Sequence, residues 1–274
     1  MLLLLHAPKH WYSETPIVAL AIAGIVFRRA RESSIFWFTI ASFLGSNIYF
    51  NWYSLDNHKY LEFYWTLALF GVLSLPAPRR EGALALNARL LIGLCMALAA
   101  LWKCISSTYL PDSAFFRFTL LTDDRFEYFA HWFGGISHGA LQRNQELEDL
   151  LKYGYLEGIN LSSVPLVESG PLRALARFAT WWTVAIEATL GVLFLWPGGR
   201  RVRLTRDLLL LAFAVTTYLV ANVKGFGWLL MILGIAQCSE ERKIVVNLYL
   251  FAFIIIQFYT IPYGPVIEAL SRSW

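Results

Sequence analysis

A succession of apolar runs, each closed by a short basic cluster, constrains this chain more than any motif in it. "TPIVALAIAGIVF" gives way to "RRAR", "LALFGVLSL" to "PAPRR", and "GVLFLWPGG" to "RRVR". A hydrocarbon core about 30 Å thick takes roughly 20 apolar residues per helix, and several runs reach or approach that length. Hydrophobic residues make up 57% of the sequence and charged residues 15%. Soluble domains carry about 25% charged residues, so this balance points to lipid. Eleven Trp, thirteen Tyr and twenty Phe, many near the ends of the runs, fit an interfacial aromatic belt. The expected fold is all-α, a polytopic transmembrane bundle.

Hydropathy places about eight helices, at about 15–27, 35–53, 58–75, 84–106, 173–196, 206–223, 226–238 and 243–262. If every run spans, four basic clusters fall on one side: Arg28, Arg29 and Arg31; Arg79 and Arg80; Arg200, Arg201 and Arg203; Arg242 and Lys243. Short basic loops stay cytoplasmic, so the N-terminus, the C-terminus and the region 107–171 are expected outside, in a multi-pass protein of a bacterial inner membrane. One domain spans 1–274, and 107–171 is an extramembrane insertion within it. There, "DSAFFRFTLLTDDRFEYFAHWFGG" predicts one or two amphipathic helices on the bilayer surface or over a cavity. "RNQELEDLLKYGYLEG" predicts a solvated helix closed by glycine.

The net charge of +4 is spread over loop clusters, which argues against nucleic-acid binding. Cys95, Cys104 and Cys238 lie in or beside apolar runs without paired spacing and read as small buried hydrophobes. "MLLLL" is too short for a signal-peptide core. The sequence has no zinc-ligand spacing, phosphate loop or nucleophile elbow, and no internal repeat of the kind that marks many transporters.

Ionisable groups in or beside apolar runs are costly and tend to be functional. Asn47, Asn51 and Asn222 are explained by interhelical hydrogen bonds, and Lys224 by snorkelling. Glu187, within "TWWTVAIEATLGVLF", must pair or protonate. Lys103, ending "LLIGLCMALAALWKCIS", is either a snorkelling anchor or a lysine in a dry pocket able to act as a base. In "SLDNHKYLEFYW", Asp56 or Asn57 suits a helix cap. Capping does not account for His58, Lys59 and Glu62 in the next turn, where His58 and Glu62 share a face.

"DNHKYLEFYWTLAL" resembles the Asn-His-x-Tyr-Leu signature that opens a transmembrane helix in the vitamin K-dependent γ-carboxylase family, whose membrane region is shared with bacterial HTTM (horizontally transferred transmembrane) proteins. "AALWKCISSTYLPDSAF" is similar to the family's helix ending in lysine, a short turn and an aromatic-Leu pair. "WWTVAIEATLGVLFLWPGGRR" and "VKGFGWLLMIL" resemble two further family segments in the same order. The resemblance implies that Asn57, His58 and Tyr60 line a site for reduced vitamin K or another lipid quinol, with His58 and Lys103 as its catalytic residues facing one cavity. It also implies that Lys103 deprotonates the quinol, with Glu187 as an orienting or proton-handling partner. Oxygen then turns the quinol anion into a strong base that carboxylates glutamyl side chains, chemistry that needs a water-poor cavity. Trp102 replaces the first of the family's two adjacent lysines. The alternative is a non-enzymatic membrane subunit whose polar residues bind lipid or a partner protein.

Overall fold

In the computed structural model the described residues are 3, 11–53, 55–153, 165–218, 223–238, 242–258 and 270. They are helical, with no strand among them. The apolar runs give α1 (Trp11–Val26), α2 (Ser34–Asn51), α3 (Asn57–Leu73) and α4 (Ala77–Ile105). The region after α4 gives α5 (Ala114–Thr122), α6 (Glu127–Gly134) and α7 (His138–Tyr153). Then come α8 (Gly170–Leu195), α9 (Arg200–Tyr218), α10 (Lys224–Ala236) and α11 (Lys243–Phe258). Arg28–Arg31 form a four-residue helical turn between α1 and α2.

Two helices, α4 and α8, are long and apolar enough to cross a membrane, with 29 and 26 residues and mean hydropathies of 2.0 and 1.5. Of their most apolar stretches, 28% and 33% is buried, so most of that apolar surface faces outward. The other runs fall short of the eight spans expected from hydropathy. Glu14–Val26, Gly225–Ala236 and Lys243–Phe258 are shorter apolar helices of 10–17 residues. Polar residues interrupt the rest: α2 carries Asn47 and Asn51, α3 opens with His58, Lys59 and Glu62, and α9 opens with Arg200, Arg201, Arg203, Arg206 and Asp207. Arg79 and Arg80 lie in the first turn of α4, which starts earlier than hydropathy placed it. Asn222, the Lys224 side chain, 219–222 of the expected sixth helix and 259–262 of the expected last one lie outside the described residues.

The chain divides into two compact units. The first is built from Met1–Met96, Leu190–Val215 and Val223–Phe258, and the second centres on Ala97–Thr189. In the first unit α2 packs along α3, α1 along α2, and α10 along α11. Ile17, Ala21, Ile40 and Leu44 form one core there. Gly93 lets α4 meet Leu195 closely, since a Cβ would stand 2.9 Å from the leucine side chain.

The second unit changes the expectation for 107–171. Its helices have a core of their own, formed by Leu120, Leu121, Phe126, Ala130, Ile136, Ala140 and Leu141 with Leu172 and Ala176 of α8. Asn144, fully buried, holds both the N–H and the C=O of Val167 at 2.8 Å. Gly135 closes α6 in the left-handed region at φ 62°, where glycine has no Cβ to clash. The solvated helix begins earlier than expected, at His138, and its predicted glycine stop lies outside the described residues.

Candidate functional site

Spacing along α4 and α8 decides which polar groups turn inward. On α4, Ile92, Met96 and Ala100 are buried, and Lys103 continues that helical stripe, whereas Trp102 is 69% exposed. On α8, Ala176, Thr180, Glu187, Leu190 and Phe194 are buried at alternating steps of four and three or their sum, and Thr183 lies on the same stripe. Within the second unit these faces bring Lys103 Nζ onto Glu187 Oε2 as an ion pair. The two side chains retain 18% and 10% of their exposure. Lys103 is therefore a paired, largely covered lysine rather than an anchor reaching for water.

Tyr109 covers the pair. Lys103 Nζ lies 5.4 Å from its ring centroid, within cation–π range. The Tyr109 hydroxyl sits 2.8 Å from Thr183 Oγ1. Thr183 directs its own hydroxyl to the carbonyls of Ala179 and Thr180 at 3.0 Å, so Tyr109 is the donor. Burial pushes the Tyr109 phenol above its usual range; the bond to Thr183 opposes this and the Glu187 charge adds to it. Phe115 stacks on Tyr109 at 5.1 Å and Phe116 meets it edge-on at 5.8 Å, so the ring is itself held. The turn between them carries two non-glycine residues in the left-handed region, Asp112 at φ 50° and Ser113 at φ 54°. Such conformations cost about 1–2 kcal/mol each.

The second polar group lies in the first unit, at the start of α3. Asp56 occupies the N-cap position, yet its carboxylate makes no capping hydrogen bond. It stands 4.0 Å from His58 Nε2 instead. His58, Lys59 and Glu62 are all buried, so the polar face points inward. Lys59 Nζ donates to Glu62 Oε2 at 3.3 Å. Asn57 is exposed as the first residue of α3. The Tyr60 hydroxyl donates to Trp52 O at 2.9 Å and ties the α2–α3 turn. On α2, Asn51 donates to the carbonyl and side-chain oxygens of buried Asn47 at 3.1 and 3.2 Å. Both of these bonds run along α2.

A third cluster, also in the first unit, escapes the hydropathy reading. Asp207, fully buried, accepts from Gln237 at 2.6 Å and from the Tyr249 hydroxyl at 2.9 Å. Arg242 pairs with its other oxygen at 2.6 Å. Arg206 donates to Gln237 Oε1 at 2.5 Å and lies over the Phe194 ring. The sequence signal is "TRD", whose Arg206 and Asp207 open the sixth apolar run and stand outside the polar groups singled out from the sequence.

Chemically, Lys103 and Glu187 form an acid–base pair able to hold one shared proton on either partner, under an aromatic cover. His58 with Asp56, and Lys59 with Glu62, form a second set of proton-active groups. Comparison with protein-family models, curated proteins and solved structures finds no match for the chain.

Proposed function

We propose that this is a multi-pass membrane protein of the HTTM and vitamin K-dependent γ-carboxylase type, acting as a base toward a lipid quinol. The observation that carries the reading is the covered Lys103–Glu187 pair beneath Tyr109. By passing its proton to Glu187, Lys103 becomes a free amine able to take the proton of a quinol hydroxyl. The low water access of the pair suits a base that water would quench. The quoted resemblance assigns Lys103 this role and assigns Asn57, His58 and Tyr60 to the quinol headgroup. Of these, buried His58 has the surroundings such a role needs.

The topology belongs to the same proposal. The three shorter apolar helices, together with α2, α3 and α9, cross with α4 and α8 to make eight passes, the arginine clusters lie in the cytoplasm, and both termini and 107–171 lie outside.

Purified protein in lipid, supplied with vitamin K hydroquinone and oxygen, is expected to form the epoxide, and Lys103→Ala to abolish it. Neither binding nor epoxide formation by the wild type would end the reading. A non-enzymatic lipid- or partner-binding subunit is favoured by the outward aromatic row of α8, where Phe178 and Trp181 are 65% and 58% exposed. In that case Lys103→Ala keeps the biological activity, and changes at Phe178 and Trp181 lose it.

A further inference from the structure

We infer that Glu62 is a proton-binding site reached from the aqueous end of α3 through Asp56 and His58. The observation behind it is an unmet oxygen. Glu62 is 2% exposed, Lys59 reaches one of its oxygens, and Oε1 has no hydrogen-bond partner. A buried carboxylate with half its acceptors empty is costly, because the desolvated oxygen recovers nothing. A proton on Oε1 removes the uncompensated charge from that oxygen without moving any helix.

The route is graded. Side-chain exposure falls from 79% at Asp56 to 7% at His58 and 3% at Glu62. Asp56 Oδ2 stands 4.0 Å from His58 Nε2. His58 and Glu62 are four residues apart on one helical face, a spacing that sets Cβ atoms about 6 Å apart and within reach of a proton relayed through one water. Asp56 is spared from capping and free to face the histidine.

The step balances without any other reactant. A proton leaves Glu62 Oε1 for the His58 ring, the ring releases one from Nε2 to Asp56, and Asp56 passes it to water. Glu62 is left anionic beside the Lys59 ammonium, and the reverse reloads it. Two helices packed against α3 each carry one ionisable side chain. On α2 the ionisable side chain is Tyr49, which is 77% exposed, while buried Asn47 is neutral. On α10 it is Lys224, whose side chain lies outside the described residues. Tyr60 and Tyr64 complete the ionisable groups of α3. The inference stands apart from quinol chemistry, since a carboxyl titrating here holds whatever Lys103 does.

Infrared spectroscopy of the full chain in lipid tests it. The wild type is expected to show a carboxylic-acid carbonyl band that shifts on transfer to D2O, is absent from Glu62→Gln and is displaced in Glu62→Asp. His58→Gln is expected to slow the D2O shift about tenfold or more, the loss of one proton-transfer partner. The Glu62→Asp displacement assigns the band should Glu62→Gln fail to fold. A spectrum with carboxylate bands alone, carbonyl bands identical in wild type, Glu62→Gln and Glu62→Asp, or a Glu62 band that exchanges as fast in His58→Gln would each overturn the inference.

Discussion

Lys103 and Glu187 are 84 residues apart in sequence and form one ion pair, with the Tyr109 ring over the ammonium. Each is the charged member of the buried stripe on its helix, and each answers the charge the other brings into a covered site.

Removing one partner leaves the other buried and unmet. Lys103→Met or Glu187→Leu alone is expected to cost about 3–5 kcal/mol, and the double variant to recover most of that loss. Denaturant unfolding of all four proteins in detergent measures the coupling. Additive losses would show that the pair contributes nothing jointly.

Tyr109→Phe keeps the ring and removes the donor to Thr183, at an expected cost of about 1 kcal/mol near neutral pH. Burial raises the phenol's pKa in the folded state. The stabilisation linked to that shift is complete below the unfolded value of about 10 and is lost as pH rises toward the folded one. Wild-type stability should therefore fall more steeply above about pH 10 than that of Tyr109→Phe. Parallel alkaline limbs would contradict this.

Glu168 is clamped from two helices. Arg117 donates to Oε2 at 2.9 and 3.1 Å, and Arg173 binds Oε1. Burial works to raise the Glu168 carboxyl, but hydrogen bonds from Arg173 and Arg117 outweigh it and hold the group below its usual range. A depressed carboxyl stabilises above its unfolded pKa of about 4.3, and that contribution disappears as pH falls through the folded value. Glu168→Gln should lower stability at neutral pH and flatten the acid limb of a pH–melting curve. An acid limb as steep as that of the wild type would count against the clamp.

Gly234 carries the Tyr249 ring. A Cβ there would stand 2.6 Å from Tyr249 Cε1, and the ring is fully buried with its hydroxyl on Asp207. Gly234→Ala is expected to cost about 1–3 kcal/mol through this overpacking. Following it with Tyr249→Ala, which opens the space, should show a smaller effect of the glycine change. Equal effects in both backgrounds would place the strain elsewhere.

Composition and periodicity were enough for the all-helical class, for helices near most of the apolar runs, and for Lys103, Glu187 and His58 as groups needing explanation. They marked the first run and 226–238 as short for a span, but not the other runs that fall short. Arg200, Arg201 and Arg203 show why: charges that read as a loop in one dimension extend α9, and Arg206 and Asp207, at the expected helix start, are buried with Gln237, Tyr249 and Arg242. The same limit hid the core of α5–α7, whose aromatic and apolar residues look interfacial until Leu172 and Ala176 of α8 are seen packed against them.

By itself the sequence determined what must be buried, because apolar side chains and their helical spacing are local properties. It could not say which partner meets each buried charge, since pairing depends on distances between residues far apart in the chain. Only the tertiary structure set Glu187 against Lys103, laid Tyr109 over them, and left one oxygen of Glu62 without a donor.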